Sequence, residues 1–182
     1  MSKNILVITG SPRKRGNTDT LADAFAKGAR ASGHTVTLFN ASTHIGGCRA
    51  CDTCWSKGHA CTFTDAFTDL EPLLEQADMV VFATPLYWFG FSAQIKAALD
   101  RIYAYISPNT VRPLKIKESA LLACAGDTDE HVFDGLAHTY EIMMRYIEWR
   151  NAGTLFIPGV LEKGDILKTD ALEKAEQFGR SL

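Results

Sequence analysis

The chain has 182 residues, a length suited to one domain spanning 1–182 whose core needs no covalent staples. Hydrophobic residues make up 46% and charged residues 22%, which excludes a disordered or fibrous chain. A net charge of -2 leaves no basic field for nucleic acid or an anionic membrane, and no acidic tail.

Met1-Ser2-Lys3-Asn4 leads into the apolar run Ile5 to Ile8, which Gly10 and Pro12 stop far short of a signal or membrane segment. The cytoplasm is the expected location, with no membrane partner. The run Ile5 to Ile8 reads as a strand buried on both faces. Asn17 to Ser32 reads as a helix, with Asn17 or Thr18 as N-cap and Gly33 as its stop. Thr35 to Phe39 is a second strand, followed by a long irregular stretch at about 40–65 that holds four of the five cysteines. A short helix, Phe67 to Gln76, leads to the most hydrophobic strand, Met79 to Ala83. Helix Ser92 to Tyr105, strand Ala120 to Ala125, helix His131 to Trp149 and strand Thr154 to Ile157 follow. Asp170 to Phe178 closes the chain, with Asp170 and Glu173 in capping-box spacing. Five buried strands alternating with helices predict an α/β, doubly wound parallel sheet. In such sheets ligands bind beyond the carboxyl ends of the strands, where the strand order reverses.

The loop after the first strand, Gly10-Ser11-Pro12-Arg13-Lys14-Arg15-Gly16-Asn17-Thr18, runs into a helix N-terminus, which offers free N–H groups and partial positive charge to an anion. Ser11, Asn17 and Thr18 add neutral donors and Arg13 a charged one. As a Walker A loop it fails: the glycine spacing is one residue too long and Asn17 stands in place of the lysine. A phosphate monoester held and left intact, as in FMN, suits it; so does a plain polar turn with good capping. Thr84-Pro85-Leu86-Tyr87-Trp88-Phe89-Gly90 follows the third strand. Three consecutive aromatics there suit the wall of a flat apolar ring or a subunit interface. Gly126 and Asp127, with Thr128, form a third candidate loop that reads equally as a turn.

Together these segments resemble the NAD(P)H-dependent FMN reductases of flavodoxin-like fold, and more narrowly their iron–sulfur flavoprotein branch. The motifs that carry the resemblance are Gly-Ser-Pro-Arg…Gly-Asn-Thr, the run from Thr84 to Lys96, and Leu99-Asp100-Arg101; it extends to the Gly159-Val160…Gly164-Asp165 tail. It implies a five-stranded sheet in the order 2-1-3-4-5, with FMN phosphate on Ser11, Arg13, Gly16, Asn17 and Thr18. The ring would lie against Pro85, Leu86, Tyr87, Trp88 and Phe89, with Gly126 and Asp127 closing the site. It also implies NADH or NADPH as co-substrate, a homodimer or homotetramer, and a small-molecule or redox-protein acceptor.

Cys48-x2-Cys51-x2-Cys54-x6-Cys61 resembles the compact motif that holds a four-iron, four-sulfur (4Fe–4S) cluster in that branch. Gly46, Gly47 and Gly58 are expected to let the backbone wrap it. A four-cysteine zinc site, a disulfide switch and plain thiols over the flavin are the competing readings. Cys124 reads as a buried small hydrophobe. The histidines, His59 in the cysteine loop included, show no ligand pairing, and Asp127 is the one group suggested for protonating a reduced acceptor. Two rival functions stand beside the reductase: an FMN and 4Fe–4S electron carrier fed by ferredoxin, and a non-enzymatic interaction module.

Overall fold

The computed structural model describes residues 1–57, 61–106, 110 and 112–182. Their strands are β1 (Asn4–Thr9), β2 (Thr35–Asn40), β3 (Met79–Pro85), β4 (Glu118–Cys124) and β5 (Arg150–Ile157). All pair in parallel, in the order β2-β1-β3-β4-β5. The helices are α1 (Asn17–Ala31), α2 (Thr53–Lys57), α3 (Ala66–Gln76), α4 (Ala93–Ile102), α5 (Asp134–Tyr146) and α6 (Ala171–Arg180).

The strands alternate between two cores because successive side chains leave opposite faces of a sheet. Leu6, Ile8, Val80, Phe82 and Leu121 pack under α3, α4 and α5, with Phe67, Leu70, Ile95, Leu136 and Tyr140. Ile5, Val7, Met79, Val81 and Leu122 pack on the other face with Leu21 and Phe25 of α1 and Ala171 and Ala175 of α6. Helices α1 and α6 meet backbone to backbone. A Cβ on Gly28 would stand 1.9 Å from the Glu176 carbonyl, and one on Gly179 would stand 2.2 Å from that of Phe25. Glycine at both positions is therefore a packing requirement.

Several boundaries differ from the sequence expectations, each for a local reason. Gly16, rather than Asn17 or Thr18, caps α1, because the Asn17 side chain is drawn into bonds with residues 160–166. The helix expected over His131–Trp149 is a 3-10 turn, Glu130–Phe133, followed by the shorter α5. It stops where Glu148 turns left-handed, at φ 58°, and the chain enters β5 at Arg150, pairing with Glu118. Strand β5 thus starts before the expected Thr154. Helix α4 ends at Ile102 and tightens into a 3-10 turn over Tyr103–Tyr105. The Asp170–Glu173 capping box does not form: Asp170 pairs with Lys174 at 2.9 Å and makes no cap bond. Among the described residues no helix is long and apolar enough to cross a membrane.

Candidate functional site

The strand order reverses between β1 and β3, and the loops leaving these two strands are locked side by side. Gly10 N–H donates to the Ala83 carbonyl at 2.9 Å. The Ser92 hydroxyl, at the N-cap of α4, donates to the Gly10 carbonyl at 2.7 Å, and Ser92 N–H donates to Thr84 Oγ1 at 3.0 Å. Leu86 N–H then reaches the Cys124 carbonyl of β4 at 2.7 Å. Backbone and hydroxyl bonds at the sheet edge therefore fix the relative placement of the loops after β1, β3 and β4.

Between them opens a cleft of about 240 Å³, lined by Ser11, Arg13, Gly16, Asn17 and Thr18 on one side and Pro85, Leu86, Tyr87, Cys124 and Gly126 on the other. Nine of the twelve residues expected to bind the cofactor therefore converge on it, and the other three stand apart. Trp88 is 95% exposed and Phe89 59% exposed, and neither lines the cleft. Asp127 also stands outside it, its Oδ1 accepting from Asp129 N–H at 3.0 Å. Asn17 reaches the cleft, but its side-chain amide is spent elsewhere. Nδ2 donates to the Val160 and Glu162 carbonyls at 3.0 and 2.9 Å, and Oδ1 accepts from Gly164 N–H at 3.0 Å. What remains at this position for an anion is backbone.

The turn itself is shaped by close contacts. A Cβ on Gly16 would stand 2.9 Å from the Arg13 carbonyl, so a side chain would force this turn open. Ser11, 3% exposed, accepts from Arg13 N–H at 3.2 Å, and Arg15 turns left-handed, at φ 53°. Burial raises the Asp19 carboxyl above its ordinary range, outweighing the N–H of Arg15 that it accepts.

Residues 160–163 form a wall that the sequence reading did not place at the site. Val160, Leu161 and Lys163 line the cleft. Arg13 Nη1 donates to the Leu161 carbonyl at 2.8 Å, and Lys163 Nζ donates to that of Lys14 at 3.0 Å. Cys124 forms part of the floor; burial pushes its thiol up to about 12, so it is neutral near pH 7.

The aromatic loop closes as a two-residue hairpin. Tyr87 and Gly90 exchange backbone bonds of 3.2 and 3.1 Å, and both residues between them are left-handed, Trp88 at φ 47° and Phe89 at φ 60°. Bulky side chains rarely adopt that backbone, and such strain gathers at functional segments.

The cysteine loop lies apart from the cleft. Cys48, Cys51, Cys54 and Cys61 all face one small cavity of about 20 Å³, together with Arg49, Asp52, Asp100 and Arg101. The donor set suits a soft metal or an iron–sulfur cluster. The volume is about that of one water, and among the described residues no three Cys, His, Asp or Glu groups are grouped to hold a metal ion. A cubane requires this loop to open. Thr53, through its side chain and N–H, draws the Cys51 thiol below its ordinary value, whereas burial raises that of Cys54. Gly46 and Gly47 do not supply the left-handed backbone; Ala50 (φ 49°) and Asp52 (φ 50°) do. Gly58 and His59 lie outside the described residues. Trp55 of α2 stacks on Tyr103 at 4.8 Å, holding this short helix to the end of α4.

Comparison with known proteins then decides the family. The model of the NADPH-dependent FMN reductase family matches residues 3–152. The chain belongs to the NADPH-dependent FMN reductase family. FMN is the cofactor of this family and NAD(P)H-dependent flavin oxidoreduction its chemistry. An iron–sulfur flavoprotein of Archaeoglobus fulgidus is 38% identical over 99 residues, 54% of this chain and 44% of that protein. The matches to curated iron–sulfur flavoproteins span about half of those proteins' length. Among solved structures, an NAD(P)H:quinone oxidoreductase from Methanothermobacter marburgensis superposes with a TM-score of 0.78 at 20% identity, covering 100% of this chain and 96% of that one. An FMN-dependent NADH-azoreductase from Bacillus anthracis, in complex with FMN, gives 0.67 at 16% identity, covering 100% and 99%. These two likenesses establish the flavodoxin-like fold of this FMN reductase family member.

Proposed function

We propose that this protein is a cytoplasmic FMN-dependent oxidoreductase that draws on NADH or NADPH and reduces a quinone, a flavin, an azo or nitro compound, or a redox protein. The observation that carries the reading is the convergence of the phosphate turn, Pro85–Tyr87 and Gly126 on one cleft at the switch point of the sheet. Its volume, about 240 Å³, is below the roughly 300–1,000 Å³ of closed small-molecule sites. It therefore takes the phosphate and sugar-alcohol end of FMN, while the ring lies along the open wall of Pro85, Leu86 and Tyr87. Ser11, Thr18, Arg13 and the backbone at Gly16 and Asn17 hold the phosphate at the start of α1. Trp88 and Phe89 flank the ring from outside or meet a second subunit. Ile142 and Tyr146 on α5 are exposed as well, and such exposed apolar residues support a homodimer or homotetramer. When bound, FMN supplies an acceptor for two electrons that can release them singly. The names of the superposed structures, a quinone oxidoreductase and an azoreductase, support the acceptor classes.

A second reading, an electron carrier with FMN and a 4Fe–4S cluster, is favoured by four cysteines that face a single cavity and by relatives named iron–sulfur flavoproteins. One experiment separates the two. Anaerobically purified protein is scanned in the visible before and after NADPH, then NADH. Flavin bands that bleach promptly are expected. Flavin bands on a broad iron–sulfur absorption, indifferent to both nucleotides, would select the carrier; a protein that neither retains nor rebinds FMN defeats both.

A further inference from the structure

Burying a guanidinium is costly unless its charge is paired and its N–H groups are bonded. Arg101, in the last turn of α4, is 2% exposed; its charge is paired and both Nη atoms are bonded through one segment of chain, and Nε alone has no partner among the described residues. Its Nη1 donates to Asp65 Oδ1 and Oδ2 at 2.7 and 2.5 Å and lies 3.4 Å from the Gly46 carbonyl. Its Nη2 donates to the Phe63 carbonyl at 2.9 Å, and its Cζ lies 4.4 Å from the centre of the Phe67 ring. Gly46 stands before the first cysteine of the loop, and Phe63 and Asp65 stand after the last. Asp65 closes the same knot from the other side, accepting from Gly46 N–H at 3.0 Å and capping α3 through Phe67 N–H at 2.9 Å. Arg101 also forms part of the wall of the cavity that the four thiols face.

We propose that Arg101 is the positioning residue of the cysteine loop: its forked guanidinium ties the loop's two ends together and so turns four thiols onto one cavity. This rests on the loop's being a functional element, as in the reading above, and not on which group the thiols hold. The role is geometric. Arg49 and Arg101 on the cavity wall are matched by Asp52 and Asp100, so the fixed charges there balance. What Arg101 adds is reach: two nitrogens held in one plane span acceptors on both ends of the loop, Nη1 at Asp65 and Gly46 and Nη2 at Phe63, which a lysine's single ammonium nitrogen does not. The bonds at Gly46, Phe63 and Asp65 close a loop in which α2, the one helix among the described residues, has no buried residue of its own.

The test is per-cysteine alkylation of the reduced, FMN-loaded full chain, read by mass spectrometry. Cys48 and Cys51 are exposed, Cys54 and Cys61 half-buried, and Cys124 buried, so the chain carries its own references. In Arg101→Met, labelling of Cys54 and Cys61 should rise by about tenfold or more while Cys124 stays protected, since a local unit opens without the fold. Arg101→Lys should label like Arg101→Met. Wild-type labelling in Arg101→Met overturns the proposal; so does wild-type protection in Arg101→Lys, which would assign the effect to charge alone. If Arg101→Met does not fold, Arg101→Met/Asp65→Asn removes both charges together, and the same increase is expected. A wild type without FMN defeats both functional readings, and the labelling still decides on Arg101.

Discussion

The phosphate turn, residues 10–18, and the cysteine loop, residues 46–65, both leave the carboxyl edge of the sheet, but they are held by different means. The turn is short and bounded by β1 and α1. Its Gly10 bonds to β3 and to the cap of α4 through backbone and one hydroxyl. The cysteine loop starts beyond an edge strand, and among its described residues it joins no ladder and contains one helix, Thr53–Lys57. Its closure falls to side chains distant in sequence: Arg101, Asp65, and Glu71, which accepts from Cys61 N–H at 3.0 Å. One region is positioned by the elements that make the fold and the other by a few contacts laid over it. Local opening should therefore separate them, the cysteine loop being a low-stability unit on a stable sheet.

The strongest way to break the comparison is Asp65→Ala, which removes the α3 cap and leaves a buried guanidinium unpaired. Removing one partner of such a pair costs about 3–5 kcal/mol. The expected result is proteolytic clipping within residues 46–57 with FMN retained; loss of FMN at the same denaturant concentration would mean that the two regions are one unit. Asn17→Ala should do the converse. It strands the carbonyls of Val160 and Glu162 and the N–H of Gly164, for roughly 2–4 kcal/mol by chemical denaturation. FMN affinity should fall with it, and exchange protection of the cysteine loop should not.

Acid offers the smallest and most discriminating effect. Burial raises the Asp65 carboxyl, but the N–H groups of Gly46 and Phe67 and the Arg101 guanidinium outweigh it and hold Asp65 below the usual carboxylate range. Its stabilisation is present above its ordinary value and is lost as pH falls through the lowered one. Glu71 has the opposite sign: burial raises it, against Cys61 N–H and Arg112, so protonation favours the folded loop as pH falls towards the ordinary value. Hydrogen exchange of residues 46–57, corrected for intrinsic rate, should hold or improve from neutrality down to about pH 4 and fail below it. A steady loss between pH 7 and 5 would show that neither carboxylate governs closure.

How much of this the sequence disclosed follows the same division. The five strands, both helix layers and the convergence of Ser11, Thr18, Leu86 and Tyr87 follow from buried β-runs and loop position, which are local signals, whereas the strand order was implied by the family resemblance. The wall at Val160, Leu161 and Lys163 was not legible. Its placement depends on Asn17 bonding across nearly the whole chain, and nothing local marks an asparagine as already engaged. The cysteine spacing identified a donor set but gave no hint of its closed cavity, because the closing residue, Arg101, lies on another helix. That Trp88 and Phe89 stand outside the cleft was not legible either, because composition records that aromatics are present and not that both residues of the turn are left-handed.

That hairpin has a consequence for engineering. At a two-residue turn with both central residues left-handed, Asn-Gly is the sequence that relaxes the backbone, and each bulky residue there carries a cost of about 1 kcal/mol or more. A screen that ranks variants by heat tolerance alone will keep selecting replacements for Trp88 and Phe89, and so will erode an exposed apolar surface beside the cleft. Libraries built on this scaffold should hold residues 87–90 constant until turnover, rather than melting temperature, is the quantity under selection.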